Sequence, residues 1–117
     1  MFHTGKVGVF SGDLGVLVRK YSADFQLVPL GRADVVKYGL VKREPSGSYI
    51  VMISGSEGLN PLYNLIITVF GPEKVRAEEL VSEIEKKIGL KLSPAPDFLK
   101  KEWGTIVSVM KDYVMPH

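Results

Sequence analysis

Val35-Val36-Lys37-Tyr38-Gly39-Leu40-Val41-Lys42-Arg43-Glu44-Pro45-Ser46-Gly47-Ser48-Tyr49-Ile50-Val51-Met52-Ile53 contains two strand-like runs around a cluster of turn formers. Alternation over 34–43 puts Val36, Tyr38 and Leu40 on one face and Lys37 and Arg43 on the other, the pattern of a half-buried strand. Glu44 to Ser48 interrupts it and Tyr49 to Ile53 resumes as strand, so 35–53 reads as an antiparallel hairpin with a five-residue connection. Tyr49 to Ile53 is apolar on successive residues, and so is Leu65 to Phe70. That predicts strands covered on both faces, central in the sheet.

Upstream of the hairpin, Lys6 to Phe10 is a short strand that runs into Ser11-Gly12-Asp13-Leu14-Gly15. Two readings of the following residues stand side by side. Ser11 caps a helix through Asp13, Leu14, Leu17, Val18 and Tyr21, or Ser11 to Gly15 is the turn of a hairpin whose second strand carries Val16 and Val18. Asp24 to Leu30 is strand-like and Gly31 ends it. Downstream, the period changes to helical after Phe70. Gly71-Pro72-Glu73 starts a helix, Ala77, Leu80, Val81, Ile84 and Ile88 form its apolar stripe, and Gly89 stops it. Asp97 then caps a second helix with Leu99, Trp103, Ile106, Val107, Met110, Tyr113 and Val114 on its buried face. The expected fold is α/β: a single domain over 1–117, with a mixed sheet of about five strands and two C-terminal helices packed on it.

Composition narrows the function classes. The chain has 117 residues, enough for one core, and 45% hydrophobic with 24% charged residues is ordinary for a globular domain. No apolar run approaches the ~20 residues a bilayer-spanning helix needs, and the N-terminus lacks a secretory signal pattern, so no membrane association and a cytoplasmic location are expected. With no cysteine there is no thiolate chemistry. One glutamine, two asparagines and a Lys/Glu-rich helix lean toward a thermophile. The net charge of +2 is too small for a nucleic-acid binder, and Lys37, Lys42 and Arg43 read as a solvated strand edge.

The candidate chemistry lies in small polar segments at strand ends. Ser11-Gly12-Asp13-Leu14-Gly15 and Ser54-Gly55-Ser56-Glu57-Gly58 have the composition of loops that offer backbone N–H groups to an anion. Neither fits the Walker or dinucleotide fingerprints, and Asp13 and Glu57 oppose a phosphate unless they face away. Arg32 and Asp34 stand at ion-pair spacing after the second strand. Tyr38, Tyr49 and Tyr63 combine an apolar ring with a hydroxyl suited to a ligand cleft. His3 and His117, one near each end, supply no base for a serine nucleophile and no metal cluster, so catalysis ranks last and neither metal nor cofactor is expected.

Val7-Gly8-Val9 into a Ser/Gly loop, then Leu30-Gly31-Arg32-Ala33-Asp34-Val35-Val36, then Tyr49 to Ile53 into Ser54-Gly55-Ser56-Glu57-Gly58-Leu59-Asn60-Pro61-Leu62, resembles one lobe of the type II periplasmic solute-binding-protein superfamily. Within it the pattern is most similar to the menaquinone-pathway naphthoate synthase group, over about residues 6 to 70. The resemblance implies that Ser11, Gly12, Ser54, Gly55 and Ser56 line a cleft for a small anionic or carboxylate-bearing solute.

The expected function is therefore a non-catalytic module binding a small anion or carboxylate through Ser11, Gly12, Asp13, Arg32, Ser54, Gly55 and Ser56. One small lobe makes a shallow cleft, so a homodimer or partner chain is expected to complete it. The alternative is a structural or assembly protein acting through its C-terminal helix or a strand edge.

Overall fold

The computed structural model describes residues 2–28, 35–56 and 64–95. In chain order the elements are β1 (Phe2–Gly8), α1 (Leu14–Tyr21), β2 (Gln26–Leu27), β3 (Val35–Glu44), β4 (Gly47–Ser56), β5 (Leu65–Gly71), α2 (Lys74–Ile88) and β6 (Ser93–Pro94). The described strands form one sheet in the order β2-β3-β4-β5-β1-β6.

Every neighbouring pair is antiparallel, which corrects the expected mixed sheet to a fully antiparallel one of six strands. The physical reason is where the helical crossover lands. β1 and β2, joined through α1, would form the parallel pair, but β3, β4 and β5 lie between them. Those three strands fold back on one another, and β5 returns beside β1, pairing Phe2 with Gly71 through Gly8 with Leu65.

The hairpin expected over 35–53 is present and longer than read, with Val35 to Glu44 paired against Gly47 to Ser56. Its connection is not five residues: Glu44 pairs with Gly47, leaving only Pro45 and Ser46 outside the ladder. Gly47 takes a φ of 132°, a conformation that favours glycine, and this lets the ladder close so tightly. A β-carbon there would also come within 2.9 Å of Pro72 Cγ, so the turn lies against the start of α2. Across the turn, Ser46 Oγ and Tyr49 Oη share a 3.1 Å hydrogen bond.

β4 and β5 are central and covered on both faces, as their unbroken apolar runs require. On one face Tyr49, Val51, Ile53, Leu65, Ile67 and Val69 pack against Leu17 and Val18 of α1 and Ala77, Leu80, Val81, Ile84 and Ile88 of α2. On the other, Ile50, Met52 and Phe70 form one buried cluster, with Val41 beside it, and Val7 and Ile66 form a second; Ala95 touches both. Each fully buried aliphatic or aromatic side chain of this kind contributes roughly 1.5–3 kcal/mol, so these two central strands dominate the fold's stability.

α2 matches its sequence stripe position for position. It starts after Glu73 and ends at Gly89, whose left-handed φ of 73° and N–H bond to the Glu85 carbonyl close the last turn. Residues 14–21 are helical, which decides between the two readings of that segment. The cap is Asp13, not Ser11: the Asp13 side chain accepts from the Val16 N–H. The second C-terminal helix, expected from Asp97 onward, lies outside the described residues.

Candidate functional site

β1, β5, β4 and β3 end together on one row, since Gly8 pairs with Leu65, Leu65 with Gly55, and Gly55 with Val36. The chain leaves β1 here and turns through Ser11-Gly12-Asp13 into α1. Asn64 fastens that turn. Its backbone N–H donates to the Gly8 carbonyl at 3.0 Å, its side-chain oxygen accepts from Phe10 N–H at 2.8 Å, and its side-chain NH2 donates to the Phe10 carbonyl at 2.8 Å. The amide of one side chain therefore copies a peptide group. It extends the ladder past the end of β1.

The first and third segments singled out in the sequence are thus brought to one end of the sheet. A β-carbon on Gly55 would stand 3.0 Å from Leu14 Cδ2, so the first residue of α1 rests directly on β4. Their chemistry differs from the expectation, however. Ser54, Gly55 and Ser56 are not a loop but the last residues of β4, in register with Lys37, Val36 and Val35 of β3. Pairing on both sides commits the backbone of Ser54 and Gly55 to the sheet, and alternation sends Ser54 to the face away from Leu14, where it is 3% exposed. The missing side chain at Gly55 leaves the room that Leu14 takes. Arg32 lies outside the described residues, as do Asp34, Glu57 and Tyr63.

Ser11, Gly12 and Asp13 remain an exposed turn. Gly12 adopts a φ of 136°, with the Phe10 ring beside its α-carbon. Asp13 Oδ1 caps Val16 N–H at 3.3 Å, so the positive end of the helix dipole already faces a carboxylate of the chain itself.

One turn further, polar atoms converge on Gly15. A β-carbon at Gly15 would lie 3.0 Å from Asp13 Oδ1, 3.0 Å from Tyr38 Oη and 3.5 Å from Arg19 Nη1. Arg19 reaches back along α1, while Tyr38 arrives from β3 across the sheet face. Neither side chain has a hydrogen bond or ion pair among the described residues. Tyr38 is one of the tyrosines whose ring and hydroxyl the sequence suggests for a cleft. Arg19 carries no such signal, because nothing near it in the chain shows that Tyr38 and Asp13 will come close to it.

Elsewhere, six described charged side chains are joined in two groups of ion pairs. Arg76 Nε donates to both carboxylate oxygens of Glu44, and its Nη1 donates to Glu79 at 3.2 Å and Glu83 at 3.0 Å. The bond from Arg76 holds Glu44 below the usual carboxylate range, and the Glu44 contact raises Arg76 further. Glu85 is also lowered, chiefly by Lys6 Nζ at 2.8 Å and then by the Leu92 N–H. Lys42 and Lys87 sit 6.0 and 5.4 Å from the centre of the Tyr21 ring. The trio Lys37, Lys42 and Arg43 does not form one patch, since strand alternation divides it between the two faces.

Among the described residues there is no group of three His, Cys, Asp or Glu placed to hold a metal ion, and no helix is long and apolar enough to cross a membrane. No protein-family model matches this chain, nor does any curated protein or solved structure.

Proposed function

We propose that the protein is a non-catalytic binding module for a small carboxylate-bearing ligand, working in the cytoplasm and completed by a second copy of the chain or a partner. One observation carries the reading: the Arg19 guanidinium and the Tyr38 hydroxyl, both without protein partners among the described residues, stand 3.5 and 3.0 Å from the position that a β-carbon on Gly15 would take. A guanidinium presents paired N–H donors that match a carboxylate, and a phenol adds a further donor at fixed reach. Ser11 and Gly12, in the turn that leads into α1, are exposed and have one hydroxyl and their backbone groups to contribute. The resemblance to a solute-binding lobe points to the same ligand class. The turn is open to solvent, so a covering surface from another chain would supply the enclosure that small-ligand sites have.

The test is calorimetry and thermal shift with a panel of small mono- and dicarboxylates. Binding to the wild-type chain should weaken at least tenfold in Arg19→Ala, which removes no described contact of the fold and should leave the melting temperature unchanged. Absence of stabilisation by every carboxylate in the panel would remove the reading.

The assembly reading keeps one specific support. β2 pairs only with Tyr38 and Gly39 of β3, so the outer edge of Leu40 to Glu44 has no strand beside it among the described residues. Such an edge is a template for pairing with another chain. Light scattering that finds a strict monomer at all concentrations would count against it.

A further inference from the structure

The face of the sheet turned away from α1 and α2 is buried, yet no described helix lies on it. Ile50, Met52, Phe70, Val7 and Ile66 are each 8% exposed or less, and among the described residues only Val41 and Ala95 add hydrophobic contacts to their two clusters. A sheet face stays buried only under a further layer. The described chain shows where that layer enters. After Gly89 ends α2, Leu92 joins the core on the helix face, with its N–H donated to Glu85 Oε2 at 3.0 Å and its side chain seated where one on Gly8 would stand. Three residues later, Ala95 donates its N–H to the Gly5 carbonyl at 3.1 Å and touches both clusters of the opposite face. β6, paired with Lys6 and Val7, is therefore a strap that carries the chain around the β1 edge from one face to the other.

We infer that this second face is the docking surface for residues 97–114 of the same chain, laid on it as an amphipathic helix. Leu99, Trp103, Ile106, Met110 and Tyr113 recur at helical spacing, and their cap residue Asp97 comes two positions after Ala95. A helix over 97–114 would run about 27 Å. That is enough to cross β1, β5, β4 and β3, whose outer axes stand about 15 Å apart. The connections 29–34 and 57–63 attach elsewhere, at the sheet end marked by Gly55 and Leu65, about 17 Å along β5 from Phe70. Thr68, fully buried on this face by strand alternation, keeps its hydroxyl without a hydrogen-bond partner, as a cover of apolar side chains would leave it. This placement stands apart from the carboxylate reading and bears on the assembly one. It uses the C-terminal stripe inside the chain, so contact with another chain falls to the strand edge.

Trp103 is the only tryptophan, so the intact chain carries its own reporter. Acrylamide should quench Trp103 severalfold less efficiently than a tryptophan amide free in solution, and nuclear Overhauser contacts should join the Met52 methyl to side chains of the 99–114 stripe at every protein concentration. Two substitutions sharpen the test. Met52→Ala loosens the second face and should raise the quenching of Trp103 severalfold, whereas Leu80→Ala, a cut of similar size on the helix face, should leave the quenching of the folded chain unchanged. Quenching equal to that of the free amide, absence of contacts from Met52 to the stripe, or an equal response to both substitutions would overturn the inference. Contacts seen only between differently labelled copies would overturn it too, because the face would then be covered by a second molecule.

Discussion

The two described helices lie on the same face of the sheet yet are built to opposite ends. α2 is 15 residues long, turns five side chains into the core and has Arg76, Glu44, Glu79, Glu83, Glu85 and Lys6 joined in ion pairs around it. α1 is eight residues long, buries Gly15, Leu17 and Val18, and carries Arg19 in its last turn, which like Tyr38 of β3 has no hydrogen bond or ion pair among the described residues. A helix whose arginine and three of whose glutamates are held in ion pairs is a structural member. One whose guanidinium stands near a phenol of β3 about a single glycine, neither bound among the described residues, keeps binding capacity for something outside the fold.

That contrast breaks most readily at α2. Leu80→Ala removes a fully buried side chain from the centre of the core and should cost about 2–5 kcal/mol, as large-to-small core changes do. Urea denaturation would measure it, and the folded fraction should still bind ligand normally. Asn64→Ala comes next: it strips two hydrogen bonds from Phe10 and should cost about 1–3 kcal/mol, with faster amide exchange at Phe10 and in the first turn of α1.

Acid separates the helices more gently. Glu44 and Glu85 have pKa values lowered from 4.5 in the folded state, so their contribution is fully present above that value and is lost as pH falls through the lower folded values. Melting followed from pH 7 down to pH 3 should show stability falling below about pH 4.5, and Glu85→Gln should flatten part of that slope. The smallest effect on stability is Gly15→Ala. Alanine gains up to about 1 kcal/mol in helix propensity, offset by crowding of Asp13 Oδ1 and Tyr38 Oη. The melting temperature should therefore move by only a few degrees, while carboxylate binding should drop severalfold. Unaltered binding would mean that the point over Gly15 is not where the ligand sits.

How much could be read in advance follows the same division. The stripe Ala77, Leu80, Val81, Ile84 and Ile88 and the stop at Gly89 are local periodic signals, and the structure reproduces them. The 35–53 hairpin was legible for the same reason, although the turn formers at Glu44 and Ser48 masked how far its ladder runs toward Gly47. The pairing of β1 with β5 was not legible, because no local pattern encodes contact between Val7 and Ile66. Ser54, Gly55 and Ser56 misled through composition: serine and glycine suggest a turn, yet strands on both sides hold Ser54 and Gly55 extended and Leu14 uses the space a side chain would have filled. Arg19 was hidden because its partners come from residue 13 and residue 38, and only folding puts them together.

The seating of Gly47 against Pro72 has a consequence for how the molecule holds its shape. The hairpin tip and the beginning of the long helix fit like a dovetail, and a β-carbon on neighbouring Gly71 would overlap the Tyr49 ring. Gly47 and Gly71, by having no side chains, therefore let the Pro72 and Tyr49 rings lock the far corner of the sheet. Leverage on this corner would be carried through β4 as a rigid beam to Gly55, on which Leu14 and the binding turn rest.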